Sequence, residues 1–149
     1  MKIAVSCGSN EGLNSPLDPR FGRCAFFALL EVTDGEVTNV QSLTNSAVSA
    51  MHGAGIQATQ TIVNSGVNTI ITGNLGPKAF YGLQQAEIPA YSAMPGIKVS
   101  QALEMFLQGK LPLIAKPGAA HRGMGGGMGP GGGMGPGGGM GPGRGMGQR

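Results

Sequence analysis

The chain has 149 residues, a formal net charge of +3, and charged side chains at 11% of its positions. So sparse a charge argues against a nucleic-acid groove, no stretch is apolar enough to span a bilayer, and Cys7 and Cys24 are too few for a disulfide framework or a zinc site. The cysteine usage fits a reducing compartment, and no secretory leader is expected behind Met1-Lys2, so the expected location is the cytoplasm.

The composition changes at Pro117. Residues 1–117 hold seven basic and seven acidic side chains, so this part is formally neutral and long enough for one core. Residues 118–149 carry the whole net charge, on Arg122, Arg144 and Arg149. The expected organisation is an α/β domain over 1–117 followed by a Gly/Met/Pro-rich, disordered tail over 118–149.

In chain order, Lys2–Cys7 reads as a buried strand, and Gly8–Gly22 as a long loop full of turn residues. Cys24–Val32 is a second strand. Thr33-Asp34-Gly35 turns it into a third, Glu36–Leu43, whose apolar and polar residues alternate. Ile56, Ile62 and Val63 recur near helical spacing over Ala54–Ser65, with Gly66 as the C-cap. Val67–Thr72 is a short apolar strand. Pro77 opens a helix whose apolar face is Ala79, Phe80, Leu83 and Ala86. A brief strand, Ile88–Tyr91, and a third helix, Lys98–Gln108, complete the order β-β-β-α-β-α-β-α. Strands one, four and five can run parallel through helical crossovers, with two and three as an antiparallel wing. Ligands collect at the carboxyl ends of such parallel strands, here Cys7–Asn10, Thr72–Gly76 and Ser92–Gly96.

The tail follows. Three identical GGGMGP repeats fill Gly125–Pro142, and a degenerate GRGMGQ comes after them. Thioethers therefore recur at Met124, Met128, Met134, Met140 and Met146 among residues that cannot build a core. Thioether sulfur is a soft ligand suited to Cu(I) and other thiophilic metals. The tail is thus a candidate metal-binding segment, a linker, or a means of self-association.

The runs MKIAVSC, LDPRFGRCAFFALLEV, GVNTIITGNLGPKAFYGLQQAEIPAY and KVSQALEMF, in that order over residues 1–110, resemble the dinitrogenase iron–molybdenum cofactor biosynthesis family. That family includes NifX, the carboxyl-terminal part of NifB, NafY and the orange protein of sulfate reducers. The resemblance implies a ribonuclease-H-like fold and non-covalent binding of metal–sulfur clusters or their precursors. It departs at Arg20, where many members carry His before Phe-Gly.

Several residues are candidates for holding such cargo. Arg20-Phe21-Gly22-Arg23 offers guanidiniums and backbone N–H groups to a polyanion, or is a solvated loop with Arg20 paired to Asp18. Gly8-Ser9-Asn10 and the turn Gly73-Asn74-Leu75-Gly76 offer N–H donors, or are ordinary turns. His52 and His121 are each a ligand or a surface residue. Met51 and Met94 suit the lining of a soft pocket, whereas Met105 shares helical spacing with Ala102 and is expected in the core. Cys7 reads as a core residue, and Cys24 as core or ligand.

The reading is a cytoplasmic, non-catalytic carrier, scaffold or store of an anionic Mo-, Fe- or Cu-containing metal–sulfur cluster. It would meet a cluster donor or acceptor protein, and neither nucleic acid nor membrane. The alternative is a copper(I) metallochaperone or storage protein acting through the tail. A ribonuclease-H-like hydrolase is set aside, because two-metal chemistry needs converging carboxylates that the scattered acids do not supply.

Overall fold

β-branched and aromatic residues cluster where the strands form, and glycines mark where the chain must reverse. The computed structural model describes residues 1–49 and 53–118, and its compact unit runs from Met1 to Gly118. Met51, His52, His121 and the tail methionines Met124, Met128, Met134, Met140 and Met146 lie outside the described residues.

Five strands, β1 (Lys2–Cys7), β2 (Phe26–Thr33), β3 (Glu36–Thr44), β4 (Thr69–Thr72) and β5 (Ala90–Ser92), form one mixed sheet in the order β3-β2-β1-β4-β5. β1 pairs antiparallel with β2 and parallel with β4, and β4 pairs parallel with β5. Three α-helices, α1 (Ala54–Asn64), α2 (Pro77–Gln85) and α3 (Val99–Leu107), and two short 3-10 turns, Gly12–Asn14 and Ser46–Ser49, complete the described fold. The turn between β2 and β3 puts Asp34 at φ 52° and Gly35 at φ 78°. Those are the left-handed conformations a two-residue hairpin turn demands.

Alternation along the strands divides the core in two. Ala4, Phe27, Leu29 and Ile70 face one side, against Ala58 and Ile62 of α1 and Ala79 and Leu83 of α2. Ile3, Val5, Leu30 and Ile71 face the other, against Val99, Ala102 and Leu103 of α3. The apolar face of α1 differs from the one its sequence suggests. Ala54, Ala58, Thr59 and Ile62 are buried, whereas Ile56 and Val63 stand 43% and 40% exposed. Small residues win because the helices lie close together. A Cβ at Gly55 would meet that of Ala79 at 3.5 Å, and one at Gly82 would meet Thr59 Cγ2 at 3.0 Å.

One feature had no periodic signal. After α3 the chain lies along the open side of β5, with Ser92 N–H bonded to Pro112 O at 2.9 Å and Ile114 N–H to Ala90 O at 2.8 Å. It then returns to the β4–α2 connection, where Gly118 N–H donates to Leu75 O at 2.7 Å.

A candidate anion site at the carboxyl edge of the sheet

β1 carries Ser6 one residue before its end and β4 finishes in Thr72, and these two hydroxyls organise the edge. Buried Ser6 Oγ and Thr72 Oγ1 lie 2.7 Å apart, and Ser6 Oγ also donates to Asp18 O at 2.6 Å. Asp18 N–H returns a bond to Ser6 O, and Asn74 N–H donates to Pro19 O at 2.9 Å. The segment Asp18–Arg20 is thereby strapped across the ends of both strands. Gly73 is what lets it lie there, since a Cβ at that position would sit 2.4 Å from Pro19 Cβ and 2.6 Å from its Cα. Arg20 forms a parallel bridge with Asn74, so the loops Arg20–Arg23 and Gly73–Gly76 meet.

The Arg20–Arg23 loop is seated from beneath. Phe21 is buried against Phe27, with ring centroids 5.3 Å apart. Buried Asn45 donates from Nδ2 to Cys24 O at 2.8 Å and Gly22 O at 3.2 Å, while its Oδ1 accepts from Ala47 N–H at 3.1 Å. Gly22 in turn packs on the first turn of α1, where a Cβ would lie 3.1 Å from Gly55 N. Nothing in the sequence singled out Asn45. An isolated Asn after a strand reads as a turn residue, and only the fold brings two loop carbonyls to its amide.

Both helices near this loop present their amino ends to the same edge. α1 starts at Gly53 and α2 at Gly76, neither has a side-chain cap, and neither has an acid in its first turn. The far end of α1 lies at the opposite edge, where Lys2 Nζ donates to Ser65 O at 2.8 Å. Uncapped N–H groups and the helix dipoles therefore place partial positive charge beside Arg20, Arg23 and Lys78. The carboxylate in their midst is Asp18. It takes Arg20 Nε at 3.1 Å and Nη2 at 2.9 Å, and this pairing raises the guanidinium pKa. Arg20 has five N–H donors, so three remain beyond those two bonds, on a side chain 67% exposed.

The third loop, Gly8-Ser9-Asn10, has part of its donors engaged on the α3 side of the fold. Gly8 N–H is taken by Pro16 O at 2.9 Å. Ser9 Oγ donates to Glu11 Oε1 at 2.9 Å, and Ser9 O accepts from Ser15 Oγ at 2.8 Å. Ser15 O in turn receives Val99 N–H at the start of α3, so these residues stitch the α3 side of the fold. Among the described residues they make no hydrogen bond to Arg20–Arg23 or Gly73–Gly76.

The cysteines belong to opposite core faces, Cys24 with α1 and α2, Cys7 with α3. Burial pushes the Cys24 thiol up from 9.0 to about 12, and burial also raises Cys7. Burial favours the protonated form of each, and the two thiols sit in separate core clusters. No group of three or more His, Cys, Asp or Glu with metal-site geometry occurs among the described residues.

Beyond Pro19 a cavity of about 400 Å³ opens between the ends of β4 and β5, lined by Gly73, Asn74, Met94, Met105 and Lys110 among others. Met94 is there as expected. Met105 is only half-buried and lines the cavity, rather than lying wholly in the core. Its helix presents it at the rim of the packed face, a distinction of one position that spacing alone does not draw.

This architecture has known counterparts. The apo form of the orange protein from Desulfovibrio gigas superposes with a TM-score of 0.71 at 38% identity, over 78% of this chain and 95% of that one. A candidate NifB protein from Thermotoga gives 0.67 at 28% identity, over 80% and 98%. The uncharacterized protein MJ0580 of Methanocaldococcus jannaschii is 39% identical over 111 residues, 74% of this chain and 89% of its own length. The sequence profile of the family described as dinitrogenase iron-molybdenum cofactor matches residues 1–109, and the chain belongs to that family.

Proposed function

We propose that the protein is a non-catalytic carrier of an anionic metal–sulfur cluster or cluster precursor, held at the carboxyl edge of the sheet. The observation that carries this reading is the meeting of two uncapped helix amino ends with the Arg20–Arg23 loop at one edge. Such an edge attracts a polyanion, and the burial of both thiols supports non-covalent capture. The family's description by an iron–molybdenum cofactor supports cargo of this class. The strand order, with β2 and β3 as an antiparallel wing, supports a ribonuclease-H-like assignment. Among the described residues no helix is long and apolar enough to cross a membrane, which suits a cytoplasmic carrier handing cargo between a donor and an acceptor protein.

The test is an anaerobic titration with tetrathiomolybdate, a simple thiometallate dianion, followed by absorbance and calorimetry. Replacing Arg20 and Arg23 together by Gln removes two charges and leaves Asp18 uncompensated, so affinity should fall at least about tenfold. Asp18→Asn should act in the opposite sense, freeing Arg20 and tightening binding. If the wild type binds nothing, or all three proteins bind alike, the anion site is wrong.

A further inference from the structure

The sequence treats the two outer edges of the sheet differently. Beyond β5, residues 111–114 run along the edge, carry Pro112, and are flanked by Lys110 and Lys116. Proline and lysine are residues that keep an edge from pairing with another chain. β3, the opposite edge, is nine residues long and has neither. Residues 37–44 of it contain no charged side chain. Its register with β2 slips once, near the hairpin, and is regular over residues 39–44. In an antiparallel pair, successive residues turn their N–H and C=O alternately toward and away from the partner strand. Asn45 N–H donates to Ala25 O at 3.0 Å, which fixes the alternation, so Leu43, Gln41 and Asn39 face β2. Val40, Ser42 and Thr44 therefore direct their N–H and C=O outward. Among the described residues no backbone hydrogen bond from elsewhere in the fold reaches them.

We propose that this edge pairs antiparallel with the same edge of a second copy of the chain, joining two five-stranded sheets into one continuous sheet. A two-fold axis at Gln41 sets Val40 of each copy opposite Ser42 of the other, with their outward N–H and C=O groups exchanging hydrogen bonds. Neutral residues meet neutral residues there, so no like charges face each other. The antiparallel arrangement also brings opposite charges together. Asp34 and Glu36 stand at one end of β3. The Arg20–Arg23 loop stands at the other, where Asn45, next to Thr44, holds Gly22 O at 3.2 Å. Pairing lays the acidic hairpin of each copy beside the basic loop of the other. Residues 1–117 hold seven basic and seven acidic side chains, so no net charge on this part opposes the approach. The pairing depends on the register of the sheet and not on what the anion edge binds, so either can fail without the other.

Sedimentation velocity of the full-length, chelator-treated protein over a range of concentrations tests the pairing. The wild type should pass reversibly from monomer to dimer. Val40→Pro and Ser42→Pro each remove an outward N–H without removing a bond to β2, so both variants should fold and stay monomeric. Asp34→Asn and Glu36→Gln together should weaken dimerisation several-fold, and added salt should do the same. Asparagine tolerates the left-handed φ of 52° at position 34. Amide exchange in the wild type gives a second reading that needs no variant. Protection of the Val40 and Ser42 N–H groups should rise with protein concentration, while Gln41, turned toward β2, is protected at every concentration. The pairing is overturned if the wild type stays monomeric, or if folded proline variants dimerise as the wild type does. It is equally overturned if neutralising the hairpin does not weaken the dimer, or if exchange at Val40 and Ser42 is independent of concentration.

Discussion

Cys24 shows how a single side chain under the site reports on the fold. Its Sγ donates to Phe21 O at 3.4 Å and lies 3.7 Å from Asn45 Nδ2, with no solvent exposure. Desolvation is the largest cause of its raised pKa, followed by the charge of Asp18. In the unfolded chain the thiol ionises near 9.0, and in the folded protein near about 12. Above pH 9 the unfolded state therefore binds fewer protons than the native state, and stability must fall as pH rises. Below pH 9 both states are protonated and the contribution is constant. Urea unfolding midpoints between pH 8 and 10.5 should consequently decline more steeply for the wild type than for Cys24→Ala. Parallel declines would mean that the thiol is not held neutral. Composition alone left Cys24 open between core and ligand, because burial is a property of the loop above it. That loop depends on Asn45, which no local pattern marks.

α1 has no charged residue, and its first turn lacks the acid that an exposed helix start commonly holds. A helix selected only for stability would place Glu there. Its absence keeps the amino end available to an external anion. Ile56 sits at the third helical position and is 43% exposed, so Ile56→Glu adds a carboxylate without disturbing either core. The change should stabilise the protein by about 0.3–1 kcal/mol through the helix dipole. It should also weaken tetrathiomolybdate binding, by placing negative charge at the site. A variant that gains stability and keeps its affinity would remove α1 from the site. Element order and strand pairing were legible, because the period changes cleanly from two to near four and the turns carry Asp34-Gly35, Gly66 and Pro77. The buried face of α1 was not. Ile56 and Val63 outweigh Ala54 and Ala58 in any hydropathy pattern, yet glycines at positions 55 and 82 favour the close packing that buries alanine. The stretch Leu111–Ile114, which follows β5 along its edge, was equally hidden, since pairing with a strand already formed needs no periodicity of its own.

At the scale of the whole molecule, the formally neutral stretch 1–117 folds with its charges unevenly placed. Arg20, Arg23 and Lys78 gather at the carboxyl edge, where α1 and α2 also begin. The hairpin at Asp34 and Glu36 and the end of α2 at Glu87 lie at the other edge. Counting charges along the chain could not reveal this, because topology decides which end each loop occupies. The same topology sets how the described fold ends at Gly118. Every buried apolar residue described precedes Pro112, while Gly118 closes the structure through its N–H bond to Leu75 O at 2.7 Å. Gly118 also lies so close to the Asn74 amide that a Cβ there would approach Oδ1 to 2.3 Å, so a larger residue would require the Asn74 side chain to move. The glycine, proline and methionine repeat beyond has nothing with which to extend either core face. A chain ending at Gly118 should therefore melt within about 2 °C of the full-length protein. A chain ending at Lys116 forfeits the Leu75 bond, worth about 1 kcal/mol, and should melt roughly 4 °C lower. Calorimetric scans of the three proteins decide the matter. Equal melting temperatures for all three would deny Gly118 its closing role, and a large loss already at Gly118 would show that the repeat stabilises the fold after all.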